Sequence, residues 1–161
     1  MSFASMLQGL RAREIKFVVV DGVAATAHGS RRVTDDLDIC YERSETNVAA
    51  LAKTLAKWDA YPRGIDPGVP FFMDARQFRI TPIMTLTTRE GFMDMLDVVK
   101  GVGDYSKCRK RSTAVEAFEI RFRVLDLPAL IDAKKAAGRP KDMDQLPELE
   151  ALLALSPRKR D

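Results

Sequence analysis

Residues 17–41, FVVVDGVAATAHGSRRVTDDLDICY, decide the reading of the fold. The run Lys16–Asp21 is β-branched and aromatic and predicts a buried strand ending at a turn. Gly22 to His28 is rich in alanine, whose small side chain lets a helix lie close against a sheet, and Gly29 is placed to end that helix in a left-handed cap. Ser30–Val33 reads as the connecting loop. Asp36–Tyr41 reads as a second strand, with Asp36 and Asp38 on one face and Leu37 and Ile39 on the other. Two carboxylates side by side on a strand repel unless a cation sits between them, and a divalent metal is the usual answer. The competing reading is an edge strand with solvated acids.

Outward from this stretch, residues 2–14 predict a packing helix, with Phe3, Met6, Leu7 and Leu10 on one stripe. Ser44 can cap a helix whose apolar stripe is Val48, Leu51, Ala52, Leu55 and Trp58. Residues 60–70, AYPRGIDPGVP, read as a loop, followed by a short helical or irregular piece over 71–78. Ile83–Thr87 and Phe92–Leu96 predict two strands about a turn, and Tyr105–Arg111 a short basic helix whose Lys107, Arg109, Lys110 and Arg111 read as a solvated face, with RNA contact as the alternative. Ala114–Phe118 and Arg121–Leu125 predict a further strand pair. Asp126 can cap a helix that Gly138 ends, and a last helix runs from about Lys141 to Leu155. Residues 156–161 read as a basic, frayed tail.

At 161 residues the chain reads as a single domain with a core over about 16–155. A net charge of +3 is too small to argue for an anionic partner by itself. Cys40 and Cys108 lack metal-ligand spacing and read as free thiols of a reducing, cytoplasmic setting. No segment offers the ~20 apolar residues a membrane span needs. His28, the single histidine, has no Cys or second His to form a zinc or nucleophile site with it.

Several residues extend the acidic pair into a site. Asp94 offers a third strand carboxylate, and three such groups can hold a pair of Mg²⁺ ions together with nucleotide phosphates. Gly22 offers a turn free of side chain, where backbone N–H groups can approach a phosphate. In an extended backbone Arg32, Thr34, Asp36 and Asp38 share one face, and Arg32 either contacts a phosphate or neutralises the acids. Lys134 falls on the same helical face as Leu127, Leu130 and Ile131, so it either needs an anionic partner, a triphosphate or Asp142, or snorkels to solvent. Arg139, Lys141 and Asp142 form either a phosphate clamp or a salt-bridged corner.

Taken together, FVVVDGVA, His28-Gly29, RVTDDLD over 32–38, Gly91–Leu96, and Val124–Asp126 through the Lys134–Asp142 segment resemble the minimal bacterial nucleotidyltransferases of the DNA polymerase beta superfamily. Within it, the closer similarity is to the group related to abortive-infection nucleotidyltransferase toxins. The resemblance implies an α/β (α+β) nucleotidyltransferase fold, a mixed β-sheet flanked by helices. It implies Mg²⁺ on Asp36, Asp38 and Asp94, with Asp94 as the candidate base. A nucleoside triphosphate would lie against Gly22, Arg32, Thr34, Lys134 and Arg139. Transfer would be to an acceptor hydroxyl on RNA, protein or a small molecule, with release of pyrophosphate. Asp21 departs from the family, which usually has two small residues at this turn, and places an acid where phosphates should approach. A catalytically weak module that binds a nucleotide or a partner protein, in a toxin–antitoxin or defence pair, is therefore the alternative.

Overall fold

The computed structural model describes residues 2–156. A first helix, α1 (Phe3–Ala12), is capped by Ser2, whose side chain accepts the Ser5 amide, and buries Met6, Leu7 and Leu10. It leads into β1 (Phe17–Val20), all four residues of which are buried, as a central strand requires. Then come α2 (Asp21–Ala27), β2 (Asp36–Tyr41) and α3 (Glu45–Lys57), the last capped by Ser44 and burying Val48, Leu51, Ala52 and Leu55. The middle of the chain holds β3 (Tyr61–Pro62), α4 (Ala75–Ile80), β4 (Met84–Thr88) and β5 (Gly91–Leu96). A small ribbon of β6 (Val98–Val99) and β7 (Gly103–Asp104) precedes α5 (Tyr105–Lys110). The hairpin β8 (Ser112–Ala117) and β9 (Ile120–Leu125) is followed by α6 (Leu127–Ala137) and α7 (Pro140–Leu155).

Seven of these strands form one mixed sheet in the order β3-β4-β5-β2-β1-β9-β8. β2 runs antiparallel to β1 and parallel to β5, while β1 runs parallel to β9. The α/β class, the mixed sheet and the flanking helices are thus as expected from sequence. β2 has the expected bounds, and Gly29 follows α2 with φ +110°. Asp126 caps α6 through the Ala129 amide, and Gly138 ends it in the left-handed region.

Two expectations change. The loop over 60–70 contains β3, which pairs with β4 (Tyr61↔Thr87, Pro62↔Leu86) and so fixes the position of the next residue, Arg63. The extended alternation through Arg32 and Thr34 is not a strand: pairing with β5 begins at Asp36, opposite Phe92, and residues 30–35 are irregular. The tail over 157–161 lies outside the described residues. Among those described, no helix is long and apolar enough to cross a membrane. Cys40 and Cys108 are both free and buried.

Candidate metal centre

The parallel register of β2 and β5 sets Asp36 opposite Phe92, Leu37 opposite Met93, and Asp38 opposite Asp94. Strand alternation sends Leu37, Ile39, Met93 and Met95 into the core, each fully buried. The same alternation leaves Asp36, Asp38 and Asp94 together on the other face. One oxygen from each lies within 4.8 Å of the others. Three oxygen donors at this spacing suit a hard divalent cation. A second observation concerns satisfaction: Asp38 Oδ1 is buried with no hydrogen-bond or ion-pair partner, while Asp94 Oδ1, also buried and without a hydrogen bond, faces the Arg63 guanidinium at 3.2 Å. Such groups cost free energy in a folded protein unless something occupies them. The residues present therefore fit a Mg²⁺ site.

The electrostatics agree. Burial, followed by the charges of Asp21 and Asp94, pushes the Asp38 carboxyl up to about 9. Asp94 is also raised, by burial and by Asp36, against the lowering effect of Arg63. Without a cation the cluster holds a proton at neutral pH, as crowded carboxylates do.

Sequence reasoning did not find Arg63. Its Nη1 lies 3.5 Å from Asp36 Oδ2 and its Nη2 3.2 Å from Asp94 Oδ1. Nη2 also donates to Leu86 O at 2.9 Å, and the guanidinium carbon sits 4.7 Å from the Phe92 ring centroid. Arg63 is thus a resident cation on the outer side of the cluster. Its position depends on β3 pairing with β4, and no motif around it signals that.

Beside the triad is a second charged group. Lys134 is buried on α6, as its helical phase predicts, and Nζ donates to Asp21 Oδ1 at 2.6 Å and to Asp142 Oδ1 at 3.3 Å. Asp142 is fully buried, and Arg139 Nε donates to its Oδ2 at 2.7 Å. Arg139 and Lys134 hold the Asp142 carboxyl at about 2. Of the two readings of this corner, the salt-bridged one is observed. Asp21 follows Val20, the register partner of Asp38, which brings its charge next to the triad. Asp21 has φ +56°, a backbone region that non-glycine residues rarely adopt. The sequence marks Asp21 as an acid in the wrong place; the inward Lys134 is its partner.

The remaining expected residues are placed as follows. Gly22 lies in the first turn of α2, and a Cβ there would come 2.6 Å from Thr34 Oγ1 and 2.8 Å from Thr34 Cβ. Gly22 therefore makes room for Thr34. Thr34 Oγ1 donates to Asp36 O at 3.4 Å. Arg32 is exposed and donates through Nη1 to Lys141 O at 3.4 Å, so it faces the start of α7 rather than the carboxylates. His28 Nε2 donates to Leu125 O at 2.7 Å, which ties the end of α2 to the end of β9 and gives it a structural role.

No protein-family model and no curated protein sequence matches the chain.

Proposed function

We propose that the protein is a Mg²⁺-dependent nucleotidyltransferase with a nucleotidyltransferase fold, moving a nucleoside monophosphate from a nucleoside triphosphate to an acceptor hydroxyl. The observation that carries the reading is the triad: one oxygen from each of three carboxylates within 4.8 Å of the others on adjacent parallel strands, with Asp38 Oδ1 buried and without a partner. Asp36, Asp38 and Asp94 would hold the metal. When bound, Mg²⁺ would neutralise the triphosphate and acidify the acceptor hydroxyl.

The chain's own residues supply the rest. The acceptor oxygen attacks the α-phosphorus, the bond to the β-phosphate oxygen breaks, and pyrophosphate leaves. Asp94, beside Asp38 on the adjacent strand, would take the acceptor proton. Lys134 supplies a cation beside the triad for the β- and γ-phosphates once it lets go of Asp21. Arg139 and Arg32 flank the start of α7 and add positive charge on the same side.

A second reading has its own observation. Lys134 is already neutralised by Asp21 and Asp142, which favours a module that binds nucleotide or a partner protein weakly and transfers little. Incubation of the protein with α-labelled triphosphates, Mg²⁺, total RNA and cellular protein separates the two. The enzyme reading expects labelled acceptor with wild type and none with Asp36→Asn/Asp38→Asn. Nucleotide binding with no label transfer would establish the second reading.

A further inference from the structure

At the other end of the sheet a cleft of about 1190 Å³ opens between α1, α5, β8 and β9. β2 connects the two ends: Asp36 belongs to the triad and Tyr41 lines the cleft, roughly 17 Å apart at ~3.3 Å per strand residue. The cleft is therefore separate from the metal centre. Its walls carry seven Lys and Arg side chains against four carboxylates, an excess of three that equals the net charge of the whole chain.

Two of the carboxylates are ion-paired, which leaves five cations against Glu14 and Asp104 and the excess of three unchanged. Glu42 is engaged by Lys16 at 3.8 Å, Asp97 by Arg43 at 3.3 Å, and Asp104 accepts the Lys107 amide as the cap of α5. Among the described residues, Arg11, Arg109, Lys110 and Arg121 make neither an ion pair nor a side-chain hydrogen bond, and all four are exposed. They come from three different elements around the hollow: α1, α5 and β9. Unpaired cations converging on a concave surface from separate elements differ from a solvated helix face, where like charges share one side of one element. The floor is apolar, with Phe17 and Phe122 nearly buried, and Tyr105 offers a half-exposed ring at the wall.

We infer that this cleft binds a short single-stranded segment of RNA, its phosphates on Arg11, Arg109, Lys110 and Arg121 and a base stacked on Tyr105. A positively charged groove with an aromatic platform is what single strands require. The volume exceeds the ~300–1,000 Å³ typical of small-molecule pockets, which favours several nucleotides over one phosphorylated metabolite. Charges spread around a concave wall with an aromatic ring between them suit a strand that enters the cleft better than a flat anionic bilayer. The inference does not depend on the metal centre.

The test is fluorescence anisotropy of a labelled single-stranded RNA of about 12 nucleotides, titrated with the intact chain over a series of salt concentrations. Four phosphate contacts predict a slope of log affinity on log salt of about −3. Arg109→Glu/Lys110→Glu should weaken binding at least ~10-fold and halve that slope, and Arg121→Glu on the opposite wall should weaken it independently. Lys53→Glu, on the exposed side of α3, controls for net charge and should leave binding intact. The cleft variants should keep the far-UV circular dichroism and the ligand-free thermal midpoint of wild type, which shows that they fold. No RNA binding at low salt, equal weakening by Lys53→Glu, or binding to phosphatidylserine vesicles in place of RNA would each overturn the inference.

Discussion

Asp38 and Asp94 are register partners across the parallel strands β2 and β5, and the Oδ1 of each is buried with no hydrogen-bond partner. Neither the strand pairing nor the core beneath it needs these acids there. Their register crowds like charges in the metal-free chain, leaves Asp38 Oδ1 open to a cation, and sets Asp94 Oδ1 against Arg63.

That crowding has a pH signature in protein kept in chelator. The folded Asp38 carboxyl holds its proton up to about 9, whereas the unfolded one loses it near ~3.9. Between these values the folded chain binds more protons than the unfolded one, so stability falls as pH rises across the window. Asp38→Asn should flatten this slope and raise stability at pH 8 by about 1–3 kcal/mol, the cost of an unsatisfied buried polar group. Thermal unfolding of both proteins from pH 5 to 9 checks it. A wild-type midpoint that climbs with pH would contradict the assignment.

Arg63 competes with an incoming cation for Asp36 and Asp94. Arg63→Ala should destabilise the chelated protein by about 1 kcal/mol, since the pairs are partly exposed and solvent screens them. The same change should enlarge the midpoint rise that Mg²⁺ produces. Paired melts with and without Mg²⁺ measure both effects, and an unchanged Mg²⁺ response would remove Arg63 from the competition.

Lys134 sits between Asp21 and a fully buried Asp142. Lys134→Met leaves Asp142 with Arg139 alone and should cost about 3 kcal/mol in denaturant unfolding. The Asp142 carboxyl is held down at about 2, so its stabilisation is complete above the unfolded value near ~3.9 and disappears as pH falls toward 2. Asp142→Asn should accordingly shift acid unfolding to a higher pH.

Gly22 and Thr34 share one space. Gly22→Ala would drive a methyl against a β-branched side chain, since the new Cβ would lie 2.6–2.8 Å from Thr34 atoms. The expected cost is about 1–3 kcal/mol. Thr34→Gly in the same chain should recover most of it, and a double-mutant cycle with no coupling would show that the two positions do not share this contact.

Much of this was legible in the sequence because it follows from local periodicity. Alternation across residues 36–39 puts Asp36 and Asp38 on one face, and the phase of α6 turns Lys134 inward. Gly138 and Asp126 mark the ends of that helix through their own backbone and side-chain chemistry. What was not legible depends on non-local pairing. Arg63 reaches the triad because a two-residue edge strand pairs with β4. Arg32 leaves the strand face because β2 finds its β5 partner only from Asp36 onward. The basic cleft assembles from segments as distant as Arg11 and Arg121. From sequence, Arg109 and Lys110 read as a solvated face with RNA contact as the lesser alternative; that Arg11 and Arg121 join them around one hollow follows only from the sheet order.

The central claim is that Asp36, Asp38 and Asp94 form a divalent-cation site. Calorimetric titration of Mn²⁺ into the chelator-stripped protein, in the presence of a non-hydrolysable nucleoside triphosphate, tests it most directly. The account predicts saturable binding in wild type that is lost in Asp36→Asn/Asp38→Asn while the variant remains folded. Absence of Mn²⁺ binding in wild type, or equal binding by the folded variant, would contradict it.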